Sequence, residues 1–258
     1  MRADAIPGRL PGFEGEVKRM PDTLSNDCSV NRETSNYYAT RLNANGLAQV
    51  YDTAIPRVAQ YLAEEIAFVR GALRGDEAIL EVGAGYGRIM KALAARARLI
   101  RGIDISSDNV ALAEEYLKDC GNCSLTLMDV HRMTLAPSFD VALCLQNALS
   151  AVKGDAQETV GKVLSVLRDG GCAYFSTYCA AFWEHRLQWF IEQAEKGLVG
   201  EVDLERTGGG RIVCRDGFTA TTFTEADFER LGAATGFPYR IVRVDDSSLF
   251  LIVEKPSG

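Results

Sequence analysis

The sequence predicts an α/β protein built around a doubly wound parallel sheet. Short apolar segments of strand length alternate with segments of helix length between residues 78 and 179, and this alternation is typical of parallel βαβ units. The chain has 258 residues, of which 47% are hydrophobic and 24% charged, as in ordinary globular proteins. This length predicts one large domain with a small accessory part.

The chain begins with a segment of different character. Residues 1–34 contain glycine and proline but no apolar periodicity, so we expect an N-terminal arm over residues 1–50 and a domain over residues 51–258. Apolar residues at helical spacing predict an amphipathic helix over residues 56–72, because Pro56 suits a first helical turn.

The alternating region accounts for five strands and three helices. We expect strands at residues 78–82, 99–105, 124–130, 139–146 and 172–179. Helices are expected at residues 86–97, 107–120 and 155–171. In the last of these, Asp155 and Glu158 resemble a capping box, and Gly170-Gly171 provide a stop.

The alternation ends after residue 179. Residues 180–222 predict an aromatic-rich helix and a β-hairpin inserted into the domain. A helix from Thr224 to Thr235 follows, and the segments YRIVRVDD and SSLFLIVEKP predict an antiparallel strand pair joined by a tight polar turn.

Charge and cysteine content limit the partners. The 28 Lys and Arg residues against 35 Asp and Glu residues give a net charge of −7, and no basic run interleaves with aromatic residues, which disfavours nucleic acid. No apolar window reaches the length of a membrane span and no secretory signal is visible. Seven scattered cysteines favour free thiols in a reducing compartment. We therefore expect a cytoplasmic protein that binds neither nucleic acid nor membrane, while its oligomeric state stays open.

A glycine-rich turn follows the first strand of the alternating region. The sequence runs from Glu81 through Gly83, Ala84, Gly85, Tyr86 and Gly87 to Arg88. A dinucleotide fingerprint requires a third glycine where Arg88 stands, and a phosphate loop requires a lysine that is absent. Because Glu81 would repel a pyrophosphate and accept from an amine, the turn favours a ligand with a cationic amino-acid end.

Two further carboxylates stand at the ends of successive predicted strands. Asp104 ends the second strand, where an acidic residue binds ribose hydroxyls in nucleoside-binding α/β folds. Asp129 lies near the end of the third, where its carboxylate suits an exocyclic amine. Capping of a following helix is the alternative role for each.

The ordered series ILEVGAGYGR, GIDIS, LMDV and FDVALCLQNALS resembles the motifs of class I S-adenosylmethionine-dependent methyltransferases of the small-molecule type. The resemblance implies a Rossmann-like seven-stranded sheet with an antiparallel last strand, and residues 180–222 as a substrate lid. It also implies that S-adenosylmethionine binds Glu81, the Gly83–Gly87 turn with Ala84, Asp104, Ile105, Asp129 and Val130.

Candidate acceptor and catalytic residues flank this pocket. Gln146 and Asn147 follow the fourth strand, near the reactive sulfonium in the family. Members that methylate planar amides or exocyclic amines of bases carry an Asn/Asp-Pro-Pro-aromatic motif there, and its absence disfavours such substrates. We expect Gln146 and Tyr37 to contact the cofactor. Asn147, Tyr178 and Trp183 are candidate substrate contacts, and His185 and Tyr38 are candidate catalytic residues. A packing role is the alternative for Tyr37, Tyr38 and His185.

The function expected from the resemblance is methyl transfer to a nitrogen, oxygen or sulfur atom of a small molecule. Two alternatives stay open: methylation of a thiol or metalloid held by Cys28, Cys179 and Cys214, and non-catalytic binding of S-adenosylmethionine. A single C-x-x-C at Cys120 and Cys123 supplies too few ligands for zinc, so no metal site is expected.

Overall fold

The architecture is described from a computed structural model for Tyr37 and residues 41–258. The strands are β1 (Ala78–Val82), β2 (Leu99–Asp104), β3 (Cys123–Leu127), β4 (Phe139–Cys144), β5 (Leu167–Tyr178), β6 (Ile212–Val213), β7 (Thr219–Ala220), β8 (Tyr239–Val244) and β9 (Ser248–Glu254). The α-helices are α1 (Ala44–Tyr51), α2 (Pro56–Ala72), α3 (Arg88–Leu93), α4 (Ser107–Tyr116), α5 (Ala148–Ala151), α6 (Ala156–Ser165), α7 (Trp183–Glu195) and α8 (Glu225–Ala234).

Seven strands form one sheet in the order β3-β2-β1-β4-β5-β9-β8. Neighbouring strands from β3 to β5 are parallel, whereas β9 runs antiparallel to both β5 and β8. The β8–β9 turn contains Asp245 and Asp246 with φ of 53° and 48°, the positive values that suit a tight hairpin. The predicted α/β sheet with an antiparallel last strand is confirmed.

One predicted helix is too long. The helix expected over residues 155–171 ends at Ser165, and β5 begins at Leu167, opposite Phe139 of β4. Gly170 and Gly171 lie within β5, and the Gly170 amide donates to the Lys255 carbonyl. The two glycines therefore belong to the sheet and do not end a helix. The Asp155 cap does form, because its carboxylate accepts from the Glu158 amide at 2.8 Å.

Two apolar layers cover the faces of the sheet, and a third cluster joins the insertion to the N-terminal helices. This third cluster includes Leu42, Val58, Phe182 and Trp189, and the Trp189 indole donates to the Val50 carbonyl at 3.0 Å. The insertion therefore packs over α1 and α2 rather than extending into solvent.

A buried arginine holds the insertion together. Arg186 of α7 is fully buried, and its guanidinium donates to the carbonyls of Gly210 and Ala220 at 2.8 and 3.1 Å. The Tyr178 ring lies 4.7 Å from it. These contacts connect α7 to the predicted hairpin, which is present as β6 and β7. Among the described helices, none combines the length and apolar character required to cross a bilayer.

Candidate active site

A cavity of about 270 Å³ opens at the carboxyl ends of β1, β2 and β4. Parallel strands bring their carboxyl ends to one edge of the sheet, so motifs distant in sequence meet there. The cavity is lined by these residues expected from the sequence: Glu81, Gly83, Ala84, Gly85, Asp104, Ile105, Asp129, Val130, Gln146, Asn147 and Tyr178. The insertion contributes Phe190 and Ala220 to the wall.

Four other candidates lie elsewhere. The Tyr37 hydroxyl donates to Asp216 of the insertion at 2.7 Å, so Tyr37 attaches the N-terminal segment to the insertion instead of lining the cavity. Trp183 and His185 lie on α7, outside the cavity wall. Gly87 begins α3, where an added Cβ would lie 2.7 Å from a Leu117 methyl carbon, so close packing accounts for this glycine. The candidate Tyr38 lies outside the described residues.

The glycine turn after β1 has a backbone conformation that favours glycine. Gly83 and Gly85 have φ of 69° and 56°, in the left-handed region that favours glycine. The Gly85 amide donates to Asp104 at 2.8 Å, while an added Cβ would lie 2.8 Å from Leu47 of α1. Asp104 thus ties the turn to the end of β2.

Asp104 is oriented by further donors. Its other oxygen accepts from the Ser106 amide at 2.9 Å and from the Asn109 side chain at 3.1 Å. Burial raises the pKa of this carboxyl, and these hydrogen bonds oppose the shift. The oxygen that accepts from Gly85 can accept a second hydrogen bond, so it can also bind a ligand hydroxyl.

A carboxyl group, Glu81, and a guanidinium group, Arg88, line the same cavity without a hydrogen bond between them. One carboxylate oxygen of Glu81 and two guanidinium nitrogens of Arg88, Nε and Nη2, are buried and have no hydrogen-bond partner among the described residues. The Arg88 guanidinium lies 4.4 Å from the Tyr51 ring centre. Burial raises the pKa of Glu81 to about 8, although Arg88 opposes the shift. An α-amino acid zwitterion offers an ammonium and a carboxylate that match these two groups.

The other end of the cavity combines polar and apolar contacts. Asp129 accepts from the His131 amide at 2.9 Å, capping the short helical turn that contains the buried Val130. Ile105 is 48% exposed although apolar, and it lines the cavity with Val130. Apolar side chains beside a carboxylate suit a planar heterocycle that carries an amine.

Gln146 and Asn147 have unusual backbones and different environments. Their φ values are 57° and 59°, which is rare for residues other than glycine. Asn147 uses its whole amide, donating to the Thr221 carbonyl and accepting from the Thr177 hydroxyl, both at 2.8 Å. Asn147 therefore anchors the insertion to β5, and Gln146 is the more available of the two for a ligand.

Sequence reasoning missed two residues of this region. Arg88 follows the glycine turn, and in the sequence it counted only as evidence against a dinucleotide-binding turn, with no ligand contact predicted for its side chain. Glu65 of α2 is fully buried and accepts hydrogen bonds from Gln146 and Ser176. Its signal was an acidic residue on the apolar face that also carries Val58 and Leu62.

None of the six described cysteines lines the cavity. Within residues 41–258, no group of three or more histidine, cysteine or acidic side chains has the arrangement of a metal site. The cysteine-based acceptor site therefore has no geometric support in the described part of the chain, and Cys28 lies outside it.

Comparison with known proteins bears on the same region. Residues 79–171 match the methyltransferase domain family. The chain is 30% identical over 102 residues to the ubiquinone biosynthesis O-methyltransferase of Azoarcus sp. (strain BH72), covering 38% of this chain and 43% of that relative. It thus spans less than half the length of this curated relative. Over residues 79–171 the chain is therefore similar to methyltransferase domains.

Solved structures of methyltransferases share the fold of this chain. A SAM-dependent methyltransferase from Methanosarcina mazei superposes with a TM-score of 0.55 at 22% identity, covering 74% of this chain and 98% of that chain. The Burkholderia thailandensis 1,6-didemethyltoxoflavin-N1-methyltransferase, solved with 1,6-didemethyltoxoflavin and S-adenosylhomocysteine, gives 0.58 at 16% identity, covering 90% and 94%. At these identities the likeness concerns the fold alone.

The cofactor of this methyltransferase family is S-adenosylmethionine, and the cavity fits it. Its amino-acid end matches the unpaired atoms of Glu81 and Arg88. Its ribose hydroxyls and adenine amine suit Asp104 and Asp129, which line the same cavity. The match to the amino-acid end depends on buried atoms of Glu81 and Arg88 that lack protein partners. It is an observation of the structure and does not depend on the sequence resemblance.

Proposed function

We propose that this protein transfers the methyl group of S-adenosylmethionine to a nitrogen or oxygen atom of a small-molecule acceptor. The observation that supports this most directly is the pair of buried groups with unpartnered atoms, the Glu81 carboxyl and the Arg88 guanidinium, in the cavity that also contains Asp104. Leaving such groups buried without partners is unfavourable. A ligand with a complementary zwitterion relieves that cost.

The residues of the cavity bind and orient in this proposal. Glu81 accepts from the cofactor ammonium, Arg88 donates to its carboxylate, and Asp104 accepts from the ribose hydroxyls. When bound, S-adenosylmethionine supplies an already activated methyl group. Alignment of acceptor and methyl then provides most of the rate enhancement.

The apolar wall supports a small acceptor and a dry reaction site. Leu42 and Leu47 from the N-terminal segment line the same cavity as Phe190 and Ala220 of the insertion. Such a wall excludes water, which strengthens electrostatic contacts with the ligand. Because this cavity is concave and of small-molecule size, a small acceptor suits it better than a polymer.

The choice between nitrogen and oxygen is open in this proposal. The matched relative is an O-methyltransferase by name, while the toxoflavin enzyme is an N1-methyltransferase. The histidine among the described cavity-lining residues is His131, whose Nε2 donates to the Lys153 carbonyl at 2.5 Å. We expect an acceptor that is nucleophilic without removal of a proton by His185.

Calorimetric titration with S-adenosylhomocysteine tests the binding step. We expect Glu81→Gln and Arg88→Met each to weaken binding by about tenfold or more, because each removes a charge-assisted contact. The exposed residues Glu64 and Arg101 provide matched controls, Glu64→Gln and Arg101→Met, which should bind as the wild type does. Equal affinity of all four variants would contradict the assignment.

Turnover separates an enzyme from a non-catalytic binder. Formation of S-adenosylhomocysteine is measured with panels of phenols, amines, carboxylic acids and thiols. Product with a phenol or an amine supports the proposal. Tight cofactor binding with no product in any panel would favour the binding protein, and product with thiols alone would favour the sulfur alternative.

A further inference from the structure

Glu65 is a fully buried carboxylate that the proposed binding of the cofactor does not use. It lies on α2, before the part of the chain that matches the methyltransferase family. No lysine, arginine or histidine forms a salt bridge with it among the described residues. A buried carboxylate without a cation is unfavourable unless its hydrogen bonds are satisfied.

The hydrogen-bond partners of Glu65 are Gln146, which lines the cavity, and its neighbour Ser176. One oxygen, Oε1, accepts from the Gln146 amide N–H at 3.2 Å and from the Ser176 hydroxyl at 2.5 Å. The other, Oε2, accepts from Nε2 of the Gln146 side chain. Glu65 thus holds both the backbone and the side chain of a residue in the left-handed conformation, where φ is 57°.

These contacts decide which way the Gln146 side chain presents its amide. Nε2 of Gln146 donates to Glu65 Oε2, so the NH₂ group faces Glu65 and the carbonyl oxygen points away from it. That oxygen, Oε1, has no hydrogen-bond partner among the described residues and is not among the buried unpartnered atoms. Because Gln146 lines the cavity, this oxygen is available to a ligand.

The position of Gln146 indicates which ligand atom it meets. Glu81 of β1 pairs with Leu143 of β4, so Gln146 follows β4 at the same edge where the glycine turn follows β1. The cofactor sulfur lies between its amino-acid end and its ribose. Gln146 lines the same cavity as Glu81 and Asp104, the proposed contacts of the amino-acid end and of the ribose.

We propose that Glu65 is a positioning residue that fixes the Gln146 carbonyl oxygen toward the transferred methyl, where it accepts a hydrogen bond from an N–H or O–H of the nucleophile. This proposal depends on the proposed function. The acceptor class is then a nucleophile that keeps its hydrogen atom during the attack, such as an amine, a ring N–H or a hydroxyl. The N–C or O–C bond forms as the S–C bond breaks, S-adenosylhomocysteine leaves, and the extra proton passes to water. A thiolate or a metalloid offers no such donor.

Two cofactor analogues test the proposal without knowledge of the acceptor. S-adenosylhomocysteine has no group at the methyl position, whereas sinefungin carries a protonated amine there. We compare their dissociation constants by calorimetry for the wild type, Glu65→Gln, Gln146→Met and the exposed control Glu64→Gln. We expect the preference for sinefungin to fall about tenfold in Glu65→Gln and in Gln146→Met, with affinity for S-adenosylhomocysteine changed less than about twofold.

The double variant separates positioning from a direct effect of charge. If Glu65 acts through Gln146, then Glu65→Gln combined with Gln146→Met lowers the preference no further than Gln146→Met alone. Additive losses would overturn the positioning role. A purely structural role for Glu65 would weaken both analogues together and would also overturn it.

The remaining outcomes are equally decisive. An unchanged preference in Gln146→Met refutes the assignment of the carbonyl oxygen, even if Glu65→Gln fails to fold. If the wild type binds neither analogue, the proposed function itself fails, and the inference fails with it. Binding of both analogues with identical preference in every variant refutes the inference alone.

Discussion

Binding of the cofactor should release a proton from Glu81. Burial raises the pKa of this carboxyl to about 8; Arg88 opposes the shift, while Asp104 and Glu65 add to it. The free protein at pH 7 therefore holds Glu81 protonated by roughly ten to one. An ammonium placed beside Glu81 favours the carboxylate, so the proton must leave when the ligand binds.

The magnitude follows from the same pKa. We expect release of about 0.9 proton per S-adenosylhomocysteine at pH 7 and about 0.5 at pH 8, with affinity falling up to about tenfold for each pH unit below 8. Calorimetry in two buffers with different ionisation enthalpies measures the number of protons directly. No proton release by the wild type, or equal release by Glu81→Gln, would refute the reasoning.

The same shift predicts how the stability of the ligand-free protein depends on pH. The folded state holds the Glu81 proton up to about pH 8, whereas an unfolded carboxyl releases it near its ordinary pKa of 4.5. This contribution to stability is therefore present at low pH and is lost as pH rises through that window, by up to about 1.4 kcal/mol per unit. Urea denaturation should show a smaller pH slope for Glu81→Gln, and an equal slope would contradict the shift.

Three other substitutions test separate parts of the structure. Gly85→Val should reduce affinity for S-adenosylhomocysteine at least about 100-fold in a titration, since it places a β-branched residue at a φ of 56°; near-normal binding would refute the role of the turn. Gly102→Ala should lower the free energy of unfolding by about 1–3 kcal/mol in urea, because a Cβ there would lie 2.6 Å from a sulfur atom, while Gly121→Ala meets nothing within 4 Å; equal effects of the two would refute the packing argument. Tyr37→Phe should cost at most about 1 kcal/mol by losing its bond to Asp216 and should leave ligand affinity unchanged; a large loss of affinity would restore Tyr37 to the site.

The fold was largely predictable because its signals are local. Strand-sized apolar segments, the helix cap of Asp155 and the glycine turn each depend on a few neighbouring residues, and the Asp155 cap forms as expected. The boundary near Ser165 was not predictable in this way. Leu167 pairs with Phe139 of another strand, and a partner distant in sequence leaves no local signal.

The candidate site likewise has one part that was predictable from the sequence and one part that was not. Glu81, Asp104 and the glycine turn follow strand ends, so their convergence follows from strand order alone. No comparable rule predicts from the sequence which aromatic and polar residues of the insertion line the cavity. His185 was a catalytic candidate in the sequence, but it does not line the cavity.

The sequence by itself determined the order of strands and helices and the carboxylates at the strand ends, because hydrophobic periodicity and turn chemistry act over a few residues. Only the tertiary structure decided that Arg88 stays unpaired near Glu81 and that Glu65 holds Gln146 from a different helix. Hydrogen bonds and charge pairing depend on distances of a few ångströms between segments far apart in the chain. Those distances are set by packing, which composition and spacing do not specify.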